Sequence, residues 1–136
     1  MKRLPTWRSI LPSTRLALHT IVPTEDGLII DAEGQSCSRC PGCRRTSVAR
    51  HSRYWRTMKD LVAHGEAVRL RVRVSRWRCR NPGCATVIFG ERLTDIAAPR
   101  AQQTHRLGVV VHLVGHTLGR RAGERLLARL SMAINV

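Results

Sequence analysis

Aromatic side chains are scarce in this sequence: one tyrosine, one phenylalanine and three tryptophans make up 4% of 136 residues. That excludes a large core built on rings, and a chain of this length forms one ordinary domain or two very small ones. Lysine is nearly absent, occurring only at Lys2 and Lys59, and acidic residues number nine. Long apolar runs are missing too. The longest, Leu107–Leu118, is broken by His112 and His116 and falls well short of the ~20 residues that span a bilayer. Pro5, Arg8, Pro12 and Arg15 interrupt any apolar signal-peptide segment. Together these absences argue against a membrane span and against a secreted disulfide protein, so the five cysteines are expected to be reduced thiols in a cytoplasm.

What is abundant is arginine. Lysine plus arginine total 24, for a net charge of +15. A balance this basic implies a polyanionic partner, nucleic acid first and an anionic membrane second. The preference for arginine suits planar, bidentate contacts to phosphate or guanine, although a GC-rich genome also inflates arginine regardless of function.

The cysteines organise the chain. C-P-G-C at Cys40–Cys43 and C-R-N-P-G-C at Cys79–Cys84 are two close pairs, far apart in sequence, as a tetrahedral structural zinc site requires. Pro41-Gly42 and Pro82-Gly83 supply tight turns that aim each pair of sulfurs at one point. Four thiolates around Zn²⁺ leave a charge of −2, and Arg39, Arg44, Arg45, Arg78 and Arg80 flank the pairs to offset it. Bound structural zinc contributes an apparent ~10–16 kcal/mol in small peptides, enough to replace a missing core. Cys37 extends the first pair to C-x2-C-x2-C, the start of a ferredoxin cluster motif, but the cysteine-proline that should follow near Ser47 is missing. Cys37 is an alternative ligand in place of Cys40 or Cys43. Only those two bracket a Pro-Gly turn, so they are preferred and Cys37 is left as a spare thiol. His51 and His64 are poorer alternatives than the well-spaced cysteines.

Along the chain, residues Met1–Pro12 lack periodicity and read as a loose lead-in. Leu16–Val22 and Leu28–Ala32 read as a hairpin around the turn Thr24-Glu25-Asp26-Gly27. Ser47–Met58 reads as a basic, aromatic strand, with Asp60-Leu61 and His64-Gly65-Glu66 as the loop after it. Then Val68, Leu70, Val72 and Val74 alternate with Arg69, Arg71 and Arg73, the clearest strand of all. The alternation slips at Ser75-Arg76, where a bulge is expected to turn the strand into the second cysteine pair. Val87-Ile88-Phe89 closes the sheet. From Pro99 the period becomes helical, with Leu107, Val110, Val111, Val114 and Leu118 on one stripe. Gly119 is placed as a cap, and a second helix over Arg121–Leu130 presents Ala122, Leu126, Leu127 and Leu130. The expected fold is α+β: a small antiparallel zinc-ribbon-like β domain over residues 1–98, then two α-helices of an incomplete helix-turn-helix over residues 99–136. Asn135 is suited to cap a third helix.

The arginine face of that strand, Arg69, Arg71 and Arg73, repeats every ~6.6 Å and can follow phosphates. Arg50, Arg53 and Arg56 on the neighbouring strand, with Arg76 and Arg78, extend the candidate nucleic-acid surface. Trp55 or Trp77 are candidates for stacking. Against this stands a merely solvated basic face. No catalytic constellation is present. His112 and His116 have the spacing of a zinc-protease helix but lack its glutamate, and the acidic residues form no paired arrangement. Enzymatic activity is not expected.

The motif order carries a resemblance. C-P-x-C, H-S-R-Y at His51–Tyr54, R-T-x-x-D-L at Arg56–Leu61, the strand at Gly65–Val72, R-x-R-C-x-N-P-x-C at Arg76–Cys84 and F-x-E-R-L at Phe89–Leu93 follow one another. In that order they resemble the N-terminal part of bacterial insertion-sequence transposases of the L-three group. Gly119–Leu130 is similar to the helix-turn-helix of that family. The resemblance implies a zinc finger, a helix-turn-helix and a Mg²⁺-dependent catalytic domain, of which this sequence stops before the base-reading helix and the catalytic part. It departs from the family at Arg44, where glycine usually follows the second cysteine and commonly takes a positive φ. Two functions follow: a DNA-binding fragment of a transposase in a bacterial, nucleoid-associated cytoplasmic setting, or a zinc-stabilised interaction module that associates with or damps full-length transposase. With base readout missing, DNA binding is expected at a Kd of ~10⁻⁴–10⁻⁶ M with little sequence preference. The leucine face of Leu126, Leu127 and Leu130 is expected to be partly exposed.

Overall fold

The alternation from Val68 to Val74 dictates the central strand, and the rest of the sheet assembles on its two edges. The computed structural model describes residues 10–132. Its order is β1 (Ala17–Thr24), β2 (Gly27–Glu33), β3 (Ser38–Arg39), β4 (Thr46–Ser47), β5 (Arg50–Ala63), β6 (Glu66–Arg78), β7 (Ile88–Gly90), α1 (His105–Leu118) and α2 (Arg120–Arg129). The main sheet runs β1-β2-β6-β5, with β7 also paired to β6, while β3 and β4 form a separate two-stranded sheet.

The first hairpin is as expected. Glu25 and Asp26 form its two-residue turn, and Gly27 leaves it at φ 131. A Cβ on Gly27 would run into the Ala67 carbonyl, so only glycine fits there. The sheet itself is not purely antiparallel. β2 lies parallel to β6, in register from Leu28 opposite Val68 to Glu33 opposite Arg73. Ile30 and Ala32 join Leu70, Val72 and Val74 in one buried cluster closed by Leu11, Leu16, Met58, Leu93, Ile96 and Ala97. Residues 10–12 therefore belong to the fold rather than to a loose lead-in, because Leu11 is packed into this core.

Two further expectations give way. Asp60-Leu61 is not loop: β5 continues through it to Ala63, and the turn is His64-Gly65 alone. Asp60 is a buried acid. Its Oδ1 accepts from Thr104 Oγ1 at 2.7 Å and from Arg106 Nε at 2.8 Å, and Arg106 Nη2 also donates to the Ile10 carbonyl at 2.7 Å. Thr104 in turn caps α1 by accepting from the Leu107 N–H. The slip at Ser75-Arg76 is real, since Val74 and Ser75 are both buried, but the irregularity sits on the partner strand. Arg50 faces Trp77 and Ser52 faces Arg76, so the extra residue is His51 of β5.

α1 and α2 meet at Gly119, whose φ of 76 breaks the helix and whose N–H caps the Gly115 carbonyl. Leu107, Val111 and Leu127 form the buried contact between helices and sheet. Leu127 is fully buried, contrary to the exposure expected for it, whereas Leu126 and Leu130 are exposed. Gly123 packs within 3.4 Å of the Gly115 Cα, measured from an added Cβ, so the helices approach closely at these two small residues. The expected cap at Asn135 lies outside the described residues.

Candidate metal centre and arginine surface

The first cysteine pair sits on the turn between β3 and β4. Cys40 N–H donates to the Arg45 carbonyl at 3.0 Å, and Arg44 N–H donates to the Cys40 carbonyl at 2.8 Å. Arg44 holds φ 61. The arginine thus adopts the left-handed conformation that favours glycine. The second pair lies beyond β6. Cys79 N–H donates to the Val87 carbonyl at 2.9 Å, and Asn81 closes the turn by accepting from Gly83 and Cys84 N–H. The two turns press together at Gly42, where a Cβ would stand 2.7 Å from Thr86 Oγ1 and 3.0 Å from Cys84 Sγ. Glycine at position 42 is a packing requirement as well as a turn residue.

This brings Cys40, Cys43, Cys79 and Cys84 into one cluster, with all four sulfurs within 4.8 Å of one another. The sulfur pairs Cys40–Cys84 and Cys43–Cys79 lie at 3.8 and 3.6 Å. A tetrahedron with Zn–S bonds of ~2.3 Å has edges of about 3.8 Å, so the cluster fits one zinc ion. Four thiolates leave no open coordination position, as in a structural rather than a catalytic site. Cys37 is not part of the cluster.

The electrostatics of the four thiols are uneven. The Cys43 backbone N–H, against the opposing effect of burial, lowers Cys40 from 9.0 to about 6. The Arg45 backbone N–H lowers Cys43. The Asn81 N–H also acts to lower Cys79, but burial and the three neighbouring sulfurs outweigh it and push Cys79 up to about 12. Such a site cannot hold four bare thiolates without a cation. Trp77 and Phe89 pack over Cys40 and exclude water from one side of the cluster.

The candidate nucleic-acid arginines do not form one free strip. Arg69, Arg71 and Arg73 share a face as expected, opposite Lys59, Thr57 and Trp55 of β5. The parallel neighbour β2 places Asp31 opposite Arg71 and Glu33 opposite Arg73. Arg71 pairs with Asp31 at 3.4 Å and Arg53 with Glu33 at 3.4 Å, while His19 also reaches Glu33 at 3.0 Å. Arg71 and Arg73 stack on Trp55, at 4.7 and 5.7 Å from the ring centroid. Arg56 is opposite Val72, on the other side of the sheet, and binds the Ala98 and Ala101 carbonyls. Its distance from Arg53 in sequence is odd, which in a strand means opposite faces. Arg50 lies over Trp77 and donates to Ser75, and Arg76 lies over Tyr54. Arg78 is exposed. Trp77 is 1% exposed and is not available to stack on a base, whereas Trp55 is 43% exposed. The neutralising carboxylates of β2 left no local sequence signal, because a parallel partner is not set by any turn.

His112 and His116 lie with ring centroids 6.1 Å apart on exposed positions of α1. Among the described residues the four cysteines form the one group of three or more metal-ligating side chains, and no helix is long and apolar enough to cross a membrane.

Residues 37–84 match the family model of the zinc-finger of transposase IS204/IS1001/IS1096/IS1165. The matched segment begins at Cys37 and ends at Cys84, so it spans both turns and the two long strands between them. No curated protein and no solved structure matches the chain. Residues 37–84 are thus similar to a transposase zinc-finger region, and the four sulfurs form a centre for one structural Zn²⁺.

Proposed function

We propose that the chain is a zinc-stabilised DNA-binding part of an insertion-sequence transposase, with a binding rather than a catalytic role. Cys40, Cys43, Cys79 and Cys84 hold the metal in this reading. The match of residues 37–84 to a transposase zinc finger, wrapped around a four-sulfur centre, carries it. The net charge of +15 supports a polyanionic partner and contacts made mostly to the phosphate backbone. The helical pair α1–α2, bent at Gly119 and closely packed at Gly115 and Gly123, is assigned to the opening of a helix-turn-helix. Titration of zinc-loaded protein into labelled duplex DNA at several salt concentrations tests the reading. A Kd of ~10⁻⁴–10⁻⁶ M that weakens linearly in log–log form with salt is expected. Absence of binding at low salt would sink it.

A second reading has its own support. Val109, Leu113, Leu118, Leu126 and Leu130 are 38–59% exposed on the two helices, an apolar surface suited to protein association. In this reading the chain associates with full-length transposase, and that association survives salt that dissolves the DNA complex.

A further inference from the structure

The arginines that the strand pattern singled out are largely engaged within the protein. Arg53 and Arg71 are paired to carboxylates, Arg56 to carbonyls, and Arg50, Arg73 and Arg76 lie on aromatic rings. A phosphate approaching them competes with contacts already made. A different set is unengaged. Arg15, before β1, Arg39, at the end of β3, Arg44, on the first cysteine turn, and Arg92, after β7, line one cleft of about 690 Å³. All four are exposed, and among the described residues none of their guanidinium groups has an ion pair or hydrogen bond. The two acidic residues that also line the cleft are hydrogen-bonded to other groups and make no ion pair with these arginines. Glu91 accepts from Gln35 N–H at 2.7 Å and Ser75 N–H at 3.4 Å, and Asp95 accepts from Ser13 Oγ at 2.6 Å.

We propose that the phosphodiester backbone of duplex DNA lies in this cleft, held by Arg15, Arg39, Arg44 and Arg92, and that the β6 strip is a secondary contact. The inference rests on the DNA-binding reading above and names where that binding occurs. Unpaired guanidinium groups gain bidentate bonds to phosphate without first losing a partner. One wall is the cysteine turn itself, so the metal centre fixes Arg39 and Arg44 in place. The positive charge of the same arginines offsets the −2 charge of a four-thiolate zinc centre, which alone would repel phosphates.

Two variants of the zinc-loaded chain separate the surfaces: Arg15→Gln/Arg39→Gln/Arg92→Gln and Arg69→Gln/Arg71→Gln/Arg73→Gln. The cleft variant is expected to bind a random duplex at least tenfold more weakly and to flatten the salt slope by about two to three units, at ~0.9 per phosphate. The strip variant is expected to change the slope by less than about one. A second measurement needs no arginine replaced. Cys37 lines the same cleft and lies outside the metal cluster, so duplex DNA carrying a backbone-tethered disulfide is expected to cross-link to it by exchange. Cys37→Ser, keeping one zinc per chain, abolishes the cross-link. If the unaltered chain binds no duplex DNA, or binds only RNA, the DNA-binding reading itself fails. Where it does bind DNA, the cleft is overturned by any of three results: a strip variant that loses more than the cleft variant, a cleft variant that loses zinc instead of DNA, or no Cys37 cross-link.

Discussion

Arg44 shows what one residue can absorb. A non-glycine side chain at φ 61 costs ~1–2 kcal/mol, and the turn it completes is fixed by the Cys40 carbonyl it binds. Arg44→Gly removes that cost while making the unfolded chain more flexible, which takes back ~0.4–1 kcal/mol. The expected net is a gain of up to about 1.6 kcal/mol, read as a few degrees in the melting temperature of the zinc-loaded protein. The same change is expected to weaken DNA binding, so stability and affinity move in opposite directions. A lower melting temperature would mean that the guanidinium makes a compensating contact with the metal centre. The thiols make a second residue-scale prediction. Cys40, depressed to about 6, stays ionised at neutral pH and gains its proton only as pH falls through that value. Cys79, raised to about 12, keeps its proton below that pH whenever the four thiols are held together without metal. Zinc binding requires all four deprotonated, so it releases at least one proton between about 6 and 12. Apparent affinity is therefore expected to rise at least about tenfold per pH unit from pH 6.5 to 8.5, measured by competition with a chelator of known pH dependence. A flat profile would mean that the thiols are already ionised together.

At the scale of elements, the junction between sheet and helices depends on one buried carboxylate. The Asp60 side chain is 1% exposed and the Arg106 side chain 32%. Arg106 also ties down the chain before β1 through the Ile10 carbonyl. Removing one partner of such a pair leaves a buried charge unanswered and typically costs ~3–5 kcal/mol. Arg106→Met is expected near the low end, about 3 kcal/mol, because its own partial exposure lets water reach the acid. Urea unfolding measures it, and Asp60→Asn combined with Arg106→Met is expected to cost less than the sum of the two singles. A loss below about 1 kcal/mol would show that Thr104 and water together satisfy Asp60. This junction also marks where sequence reading ran out. The alternation around Leu70, the Glu25-Asp26 turn, the two cysteine turns and the Gly119 cap are local signals, and each is found in the structure. Asp60 looked like a loop residue because its counter-ion is 46 positions away. The parallel pairing of β2 was equally invisible: Leu28-Ile29-Ile30 is apolar on both faces, so nothing local ties it to β6. The four-cysteine centre was legible from spacing alone. The cleft was not, since Arg15 and Arg92 meet Arg39 and Arg44 only through the fold.

Across the whole molecule, β6 joins two of the three buried clusters. β6 buries Val68, Leu70, Val72 and Val74 in the large cluster, then carries Trp77 into a small cluster with Cys40 and Phe89 at the metal end. The first has twelve buried apolar side chains and does not include a cysteine; the second has three, packed against Cys43, Cys79 and Cys84. Three buried side chains cannot offset the entropy of ordering two turns and β3, β4 and β7, at ~1–2 kcal/mol per residue of backbone. Zinc must supply the difference at that end, whereas the large core does not depend on it. Removing the metal is therefore expected to open the cysteine end locally and leave β1, β2, most of β5 and β6, and both helices folded. The three tryptophans allow a direct test. With Trp7→Phe and Trp55→Phe, only Trp77 reports, and it is 1% exposed in the closed fold. Adding excess chelator is expected to red-shift its emission and admit a soluble quencher, while helical circular dichroism changes little. Returning Zn²⁺ should reverse both. Simultaneous loss of the helical signal would show that the two cores unfold as one. An unmoved Trp77 would show that packing with Phe89 holds the cysteine end without metal.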